Sequence, residues 1–137
     1  MAQFFSNSET ERCLRIALEN KGYKLNTPLK SGELGVDIIA EKGNERHYIE
    51  VIGFKKSPPA RSRDFYEVFF RAISRLKDGA KSIVTALPER FENGLKQRAS
   101  QYGEGWKRIG DAFPELKIWL VNCDGPSFKQ KTWNEWL

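Results

Sequence analysis

Hydrophobic and polar positions recur with two different periods along this chain, and the switches between them mark its elements. Leu14, Ala17 and Leu18 repeat at helical spacing behind Ser8 and Glu11, which fit an S-x-x-E capping box, and Gly22 closes that helix. Tyr23 and Leu25 predict a short strand ahead of Pro28. A β-branched run from Gly35 to Glu41 stops at the polar turn Lys42-Gly43-Asn44-Glu45, and a second run follows from His47 to Phe54. Two such runs joined by a Gly-Asn turn predict an antiparallel hairpin. Lys55 to Asp64, with Lys55, Lys56, Pro58, Pro59, Arg61 and Arg63, predicts a basic loop. Phe65, Val68, Phe69, Ala72, Ile73 and Leu76 then step at i, i+3, i+4, i+7, i+8 and i+11, an amphipathic helix. Lys81 to Leu87 predicts a strand, and Pro88 suits the first position of a helix continued by Phe91, Leu95, Arg98 and Tyr102. Leu116 to Asn122 predicts a strand at or near the centre of the sheet, with Phe128, Trp133 and Trp136 folded back over the body. The expected class is α/β, a mixed sheet flanked by helices in the order α-β-β-β-α-β-α-β, in one domain over 1–137.

Composition narrows the chemistry. A chain of 137 residues has room for one core, and at that size roughly 70% of the unfolded surface is buried without a metal or disulfide staple. With 39% hydrophobic and 30% charged residues the chain is expected to be ordered rather than disordered. No apolar run approaches the roughly 18 residues of a spanning helix, and Met1-Ala2-Gln3-Phe4-Phe5 lacks the basic and apolar regions of a signal peptide. The expectation is a cytoplasmic protein with no membrane partner. A single histidine, His47, rules out any site within one chain that needs two imidazoles. Cys13 and Cys123 are far apart and form no CxxC pair, so two buried free thiols are expected in a reducing compartment. The net charge of +5 permits an anionic partner without requiring one.

Two acids stand in the hairpin where a strand ordinarily carries apolar side chains. Asp37 lies in Val36-Asp37-Ile38-Ile39, and Glu50 in Tyr48-Ile49-Glu50-Val51-Ile52. A buried carboxylate costs several kcal/mol unless it is paired, hydrogen-bonded or bound to a metal. Side by side, the two raise each other's pKa, and a hard cation such as Mg²⁺ or Mn²⁺ relieves that repulsion, activates water and stabilises charge on a phosphodiester. The alternatives are that both acids face solvent, or that Glu50 pairs with a nearby Lys or Arg.

Gly35-Val36-Asp37, a twelve-residue spacer and Glu50-Val51, followed by a helix with small and aromatic inward residues, resemble the PD-(D/E)XK, or restriction-endonuclease-like, superfamily. The likeness covers roughly the first 87 residues and includes the order helix, three-stranded meander, helix, strand. Ile49 to Phe54, leading into Asp64-Phe65-Tyr66-Glu67-Val68, is similar to the subgroup that includes excision controlling factors. The resemblance implies that Asp37 and Glu50 ligate one or two divalent metals, assisted by the carbonyl after the Glu. It also implies an acid from the first helix, which points to Glu11, and a partner of DNA. The family places a Lys two residues after the Glu; here that residue is Ile52. A positioned charge-stabilising group is worth roughly 10² to 10⁴ in rate, so its loss matters. Lys55, Lys56 or Arg71 are the candidates for a migrated cation, with Lys56 sharing the strand-face parity of Glu50.

The remaining candidates each carry two readings. Glu11 is either the acid of the capping box or the family's first-helix acid. Lys55, Lys56, Arg61, Arg63 and Arg71 either contact phosphates or form a solvated surface. His47, on the opposite strand face from Glu50, reads as a surface or packing residue. Trp106, Trp119, Trp133 and Trp136 suit core packing or a dimer interface better than base stacking. Phe65, Tyr66, Phe69 and Phe70 give the helix apolar groups on more than one side, which predicts burial by the sheet and by a second subunit, a homodimer. Three functions follow: a DNA-associated nuclease fold with a degenerate metal site and weak Mg-dependent phosphodiesterase activity; a catalytically inactive DNA-binding or protein-interaction subunit; or a basic α/β scaffold with structural acids.

Overall fold

The computed structural model describes residues 4–136, so the reading of Met1, Ala2 and Gln3 lies outside the described residues. The first helix, α1, spans Asn7–Asn20. Its capping box is Ser6 with Glu9, not Ser8 with Glu11: the Ser6 hydroxyl accepts the Glu9 N–H at 3.1 Å, and Glu9 Oε1 accepts the Ser6 N–H at 3.1 Å. The S-x-x-E pattern occurs twice in register here, and the earlier copy starts the helix. The apolar stripe Cys13, Leu14, Ala17 and Leu18 is buried as its spacing predicts.

Three strands follow: β1 Lys24–Leu25, β2 Ile38–Lys42 and β3 Glu45–Val51. The β2–β3 hairpin pairs Lys42 with Glu45, and Gly43 takes the positive φ of 59° that its tight turn requires. The segment expected as a loop to Asp64 is shorter, because α2 spans Pro58–Ser74 and takes Arg61, Arg63 and Asp64 onto the helix. Ser57 caps it by accepting the Ala60 N–H, and Pro58 sits at its first position, where a missing N–H costs nothing. Phe65, Val68 and Ala72 are buried against the sheet while Tyr66 and Phe70 stay exposed.

Beyond α2, β4 spans Ile83–Pro88 and every residue in it is buried. Pro88 ends this strand instead of opening a helix; one 3₁₀ turn, Glu89–Phe91, intervenes before α3, Glu92–Tyr102. Two further elements appear that the sequence pattern did not announce: α4, Glu104–Ala112, and β6, Ser127–Thr132, after β5, Leu116–Asn122. The sheet runs β1-β2-β3-β4-β5-β6, with β3, β4 and β5 parallel and the other pairs antiparallel. It is therefore a mixed six-stranded sheet flanked by helices, with β5 one strand in from the edge.

Each face carries its own core. Leu14, Leu18, Ile38, Ile49, Val84 and Trp119 pack on the α1 side. Phe65, Val68, Leu87, Leu95, Trp106 and Trp133 pack on the other, beneath α2, α3 and α4. Trp106 and Trp133 stack at 4.1 Å and each indole N–H donates to the other's carbonyl, which anchors the C-terminal segment to α4. The tryptophan expectation of core packing thus fits Trp106, Trp119 and Trp133, all buried.

The cysteine expectation is overturned. Cys13 of α1 and Cys123, one residue past β5, form a disulfide with their Cα atoms 5.3 Å apart. Packing α1 across the ends of β5 and β6 brings together thiols separated by 110 residues, a pairing no local spacing reveals. Among the described residues, no helix is long and apolar enough to cross a membrane.

Candidate functional site

The site forms where the β2–β3 ladder ends. Ile38 pairs with Ile49, so Asp37 and Glu50 come next at its mouth. The Val51 N–H donates to Asp37 Oδ2 at 2.9 Å, and the Asp37 N–H donates to Glu50 Oε2 at 3.3 Å, so each acid also serves as a backbone cap for the hairpin. Parity turns Glu50 toward α2, where its side chain is 3% exposed.

Two arginines four residues apart meet it, Arg71 in the last turn of α2 and Arg75 at the start of the 3₁₀ turn Arg75–Asp78 that follows it. Arg71 Nε lies 3.3 Å from Glu50 Oε1, and Arg75 Nε lies 3.8 Å from Glu50 Oε2. Arg71 does more: one Nη2 atom donates to the Val51 carbonyl at 3.1 Å and stands 3.9 Å from Asp37 Oδ2. Burial, and then the neighbouring Asp37 charge, push the Glu50 carboxyl up to about 7, against the pull of Arg71 and Arg75. The acids expected in an apolar strand are therefore held by guanidinium groups.

The same geometry tests a metal. The atoms that the resemblance assigns to a divalent cation are the carboxylates of Asp37 and Glu50 and the carbonyl after the Glu. Arg71 touches all three, so Mg²⁺ or Mn²⁺ does not fit the site as it is arranged: the ion would share its place with a fixed positive charge. Among the described residues no three His, Cys, Asp or Glu side chains converge as a metal-ligating group.

Glu11 stands at the margin on α1. It pairs with Arg15 at 2.8 Å, and Arg15 in turn donates to the carbonyls of Asp37 at 2.8 Å and Asn26 at 2.7 Å. A cleft of about 520 Å³ is lined by Glu11, Arg12, Arg15, Asp37, Val51 and Arg71. Glu11 is thus neither the capping acid nor in direct contact with Asp37 or Glu50, but it opens onto the same cleft.

Ile52, where the resemblance expects a Lys, is 1% exposed and packs in the core on the α2 side. The basic residues do not form one cluster. Lys55 Nζ is tied to Asp64 at 2.8 Å and Asn7 at 3.2 Å, and Arg61 donates to the carbonyls of Lys55 and Lys56. Lys56 and Arg63 are exposed. Arg71 stands ten residues beyond Arg61 on α2, about 15 Å along its axis. His47 faces the α1 core, with Nδ1 2.6 Å from Ser82 Oγ, Nε2 3.1 Å from Glu45 and its ring 4.9 Å from Trp119.

Arg15 and Arg75 were not among the residues expected at this site. A signal for Arg75 did exist, since a buried acid demands a cation and Arg75 follows Arg71 by four residues, one turn on if the helical spacing continues. Comparisons with protein-family models, with curated proteins and with solved structures find no match to this chain.

Proposed function

We propose that this chain is a restriction-endonuclease-like, DNA-associated protein with a degenerate metal site, one that binds DNA without hydrolysing it. The observation that carries this reading is the Arg71 guanidinium standing against Asp37, Glu50 and the Val51 carbonyl, with Ile52 buried where the family's Lys belongs. A positive charge built into the fold holds the two acids together without an ion and removes the cation on which phosphodiester chemistry of this kind depends. The meander β1-β2-β3, the helix α2 and the parallel strand β4 support the fold assignment, and the +5 charge supports an anionic partner.

The test pairs fluorescence-anisotropy binding of duplex DNA with a cleavage assay in Mg²⁺ and in Mn²⁺. Expected are binding that weakens as salt rises and DNA that stays intact. Mn²⁺-dependent cleavage that Glu50→Ala abolishes overturns the inactive reading in favour of a weak phosphodiesterase. One observation favours that second reading: Arg71 is 34% exposed and borders the cleft that also holds Asp37 and Glu11, so it has room to swing aside. Absence of both binding and cleavage leaves the structural scaffold. The homodimer belongs to the same proposal, through the exposed side of α2 where Phe70 is 70% exposed beside Tyr66; sedimentation showing a monomer at all concentrations removes it.

A further inference from the structure

A second groove, of about 280 Å³, lies between the N-terminal half of α2 and α3, away from the carboxylates. Arg61, Arg90 and Arg98 line it, together with Ser62 and Gln97, and none of its lining residues is an acid. Most other buried or half-buried arginines in this protein face carboxylates, as Arg15, Arg71 and Arg75 do. Arg61 and Arg98 have none within 4.0 Å among the described residues. Their partners are neutral: Arg61 donates to two carbonyls, and Arg98 donates to the Gly94 carbonyl at 3.2 Å and to Ser62 Oγ at 3.1 Å.

Aromatic rings hold these guanidinium groups in place. Arg61 and Arg90 both lie 4.5 Å from the centre of the Phe54 ring, so at most 9 Å separates them. Arg98 lies over Phe65 at 5.2 Å. Both protein hydrogen bonds of Arg61 come from Nη1, so among the described residues its Nε and Nη2 are left for a ligand, and those N–H groups match phosphate oxygens in fork geometry. Gly94 contributes by what it lacks, because a Cβ there would stand 2.8 Å from Arg98 Nη1. The glycine leaves the space in which Arg98 lies across α3.

We propose that this groove is a phosphate-binding subsite that takes a backbone phosphate of nucleic acid. Naming nucleic acid as the source of the phosphate rests on the DNA-associated reading above; the neutral partners of Arg61 and Arg98 do not. The ordering of Arg61 and Arg98 before the ligand arrives lowers the entropy lost on binding.

Two measurements separate the groove from the DNA reading. In the first, the side-chain Nε–Hε signals of arginine are followed by NMR while inorganic phosphate is added. In the second, the salt dependence of duplex DNA binding is compared among wild type, Arg61→Gln, Arg98→Gln and Gly94→Ala. Gly94→Ala places a better helix former in α3 and displaces only the Arg98 end, so its melting temperature should hold even if an arginine variant is less stable. The proposal expects phosphate to shift the Arg61 and Arg98 signals, and the slope of log affinity against log salt to fall by about one in each arginine variant. Gly94→Ala is expected to weaken DNA binding in the same direction as Arg98→Gln. Unmoved signals together with an unchanged slope in all three variants overturn the groove while leaving the DNA reading intact. Shifted signals without any DNA binding overturn the nucleic-acid source and leave a site for a free phosphate-bearing ligand. Unmoved signals without any DNA binding overturn both the groove and the DNA reading.

Discussion

Glu50 is a carboxyl group whose charge is disfavoured by its surroundings and only partly restored by its partners. Burial and Asp37 raise it to about 7, from an ordinary value of 4.5 in the unfolded chain. Between those values the folded state holds a proton that the unfolded state has released, so the folded state is the better proton binder. Stability should be fully present below about pH 4.5 and fall as pH rises through 7, by at most about 3 kcal/mol from this group. Denaturant unfolding at a series of pH values checks this, with Glu50→Gln expected to flatten the decline. An equally steep decline in Glu50→Gln assigns it to other groups. Arg71→Met removes the nearest cation from a buried acid; because Arg71 is one-third exposed, water offsets part of the loss, and a destabilisation of about 1–3 kcal/mol at pH 8 is expected. Combining it with Glu50→Gln should recover much of that loss, since no buried charge is then left alone.

At the scale of elements, the segment just past β3 packs against the residues before α1 in a close approach that leaves no room for a side chain. A Cβ on Gly53 would stand 2.1 Å from the Phe5 carbonyl, where residues 5 and 54 bridge with hydrogen bonds of 3.1 and 2.8 Å. Gly53→Ala should therefore destabilise by about 1–3 kcal/mol or more, read from thermal unfolding, because backbone must move. The period-2 runs of β2 and β3 and the helical stripe of α2 were legible in the sequence because each buries one regular face. α4 was not, since Trp106 is its only fully buried residue and glycines 105 and 110 weaken its signal. β6 was hidden for a related reason: Lys129-Gln130-Lys131 gives a polar edge strand in which Phe128 alone is buried. The site was legible only in part. Asp37 and Glu50 stand out by being acids among β-branched neighbours, whereas the position of Arg71 over them depends on how α2 crosses β3, which no local pattern encodes.

For the whole molecule, the disulfide ties the first helix to the last part of the sheet. It closes a 110-residue span between α1 and the end of β5, and cross-links of that reach contribute about 2–5 kcal/mol. Cys123→Ser should lower stability by that order, and alkylation of the unfolded protein should label cysteine only after reductant is added. Labelling without reductant contradicts the pairing. The arginines divide into two groups: Arg71 and Arg75 face carboxylates, whereas Arg61 and Arg98 donate to neutral partners.

With the Arg71 guanidinium against Asp37, Glu50 and the Val51 carbonyl, no divalent cation should bind there, and calorimetric titration with Mn²⁺ measures this. The wild-type protein should give no saturable heat, while Arg71→Ala, with two carboxylates and a carbonyl uncovered, should gain a weak site. Saturable Mn²⁺ binding by the wild type that Asp37→Ala removes would show that the carboxylates take a metal despite Arg71.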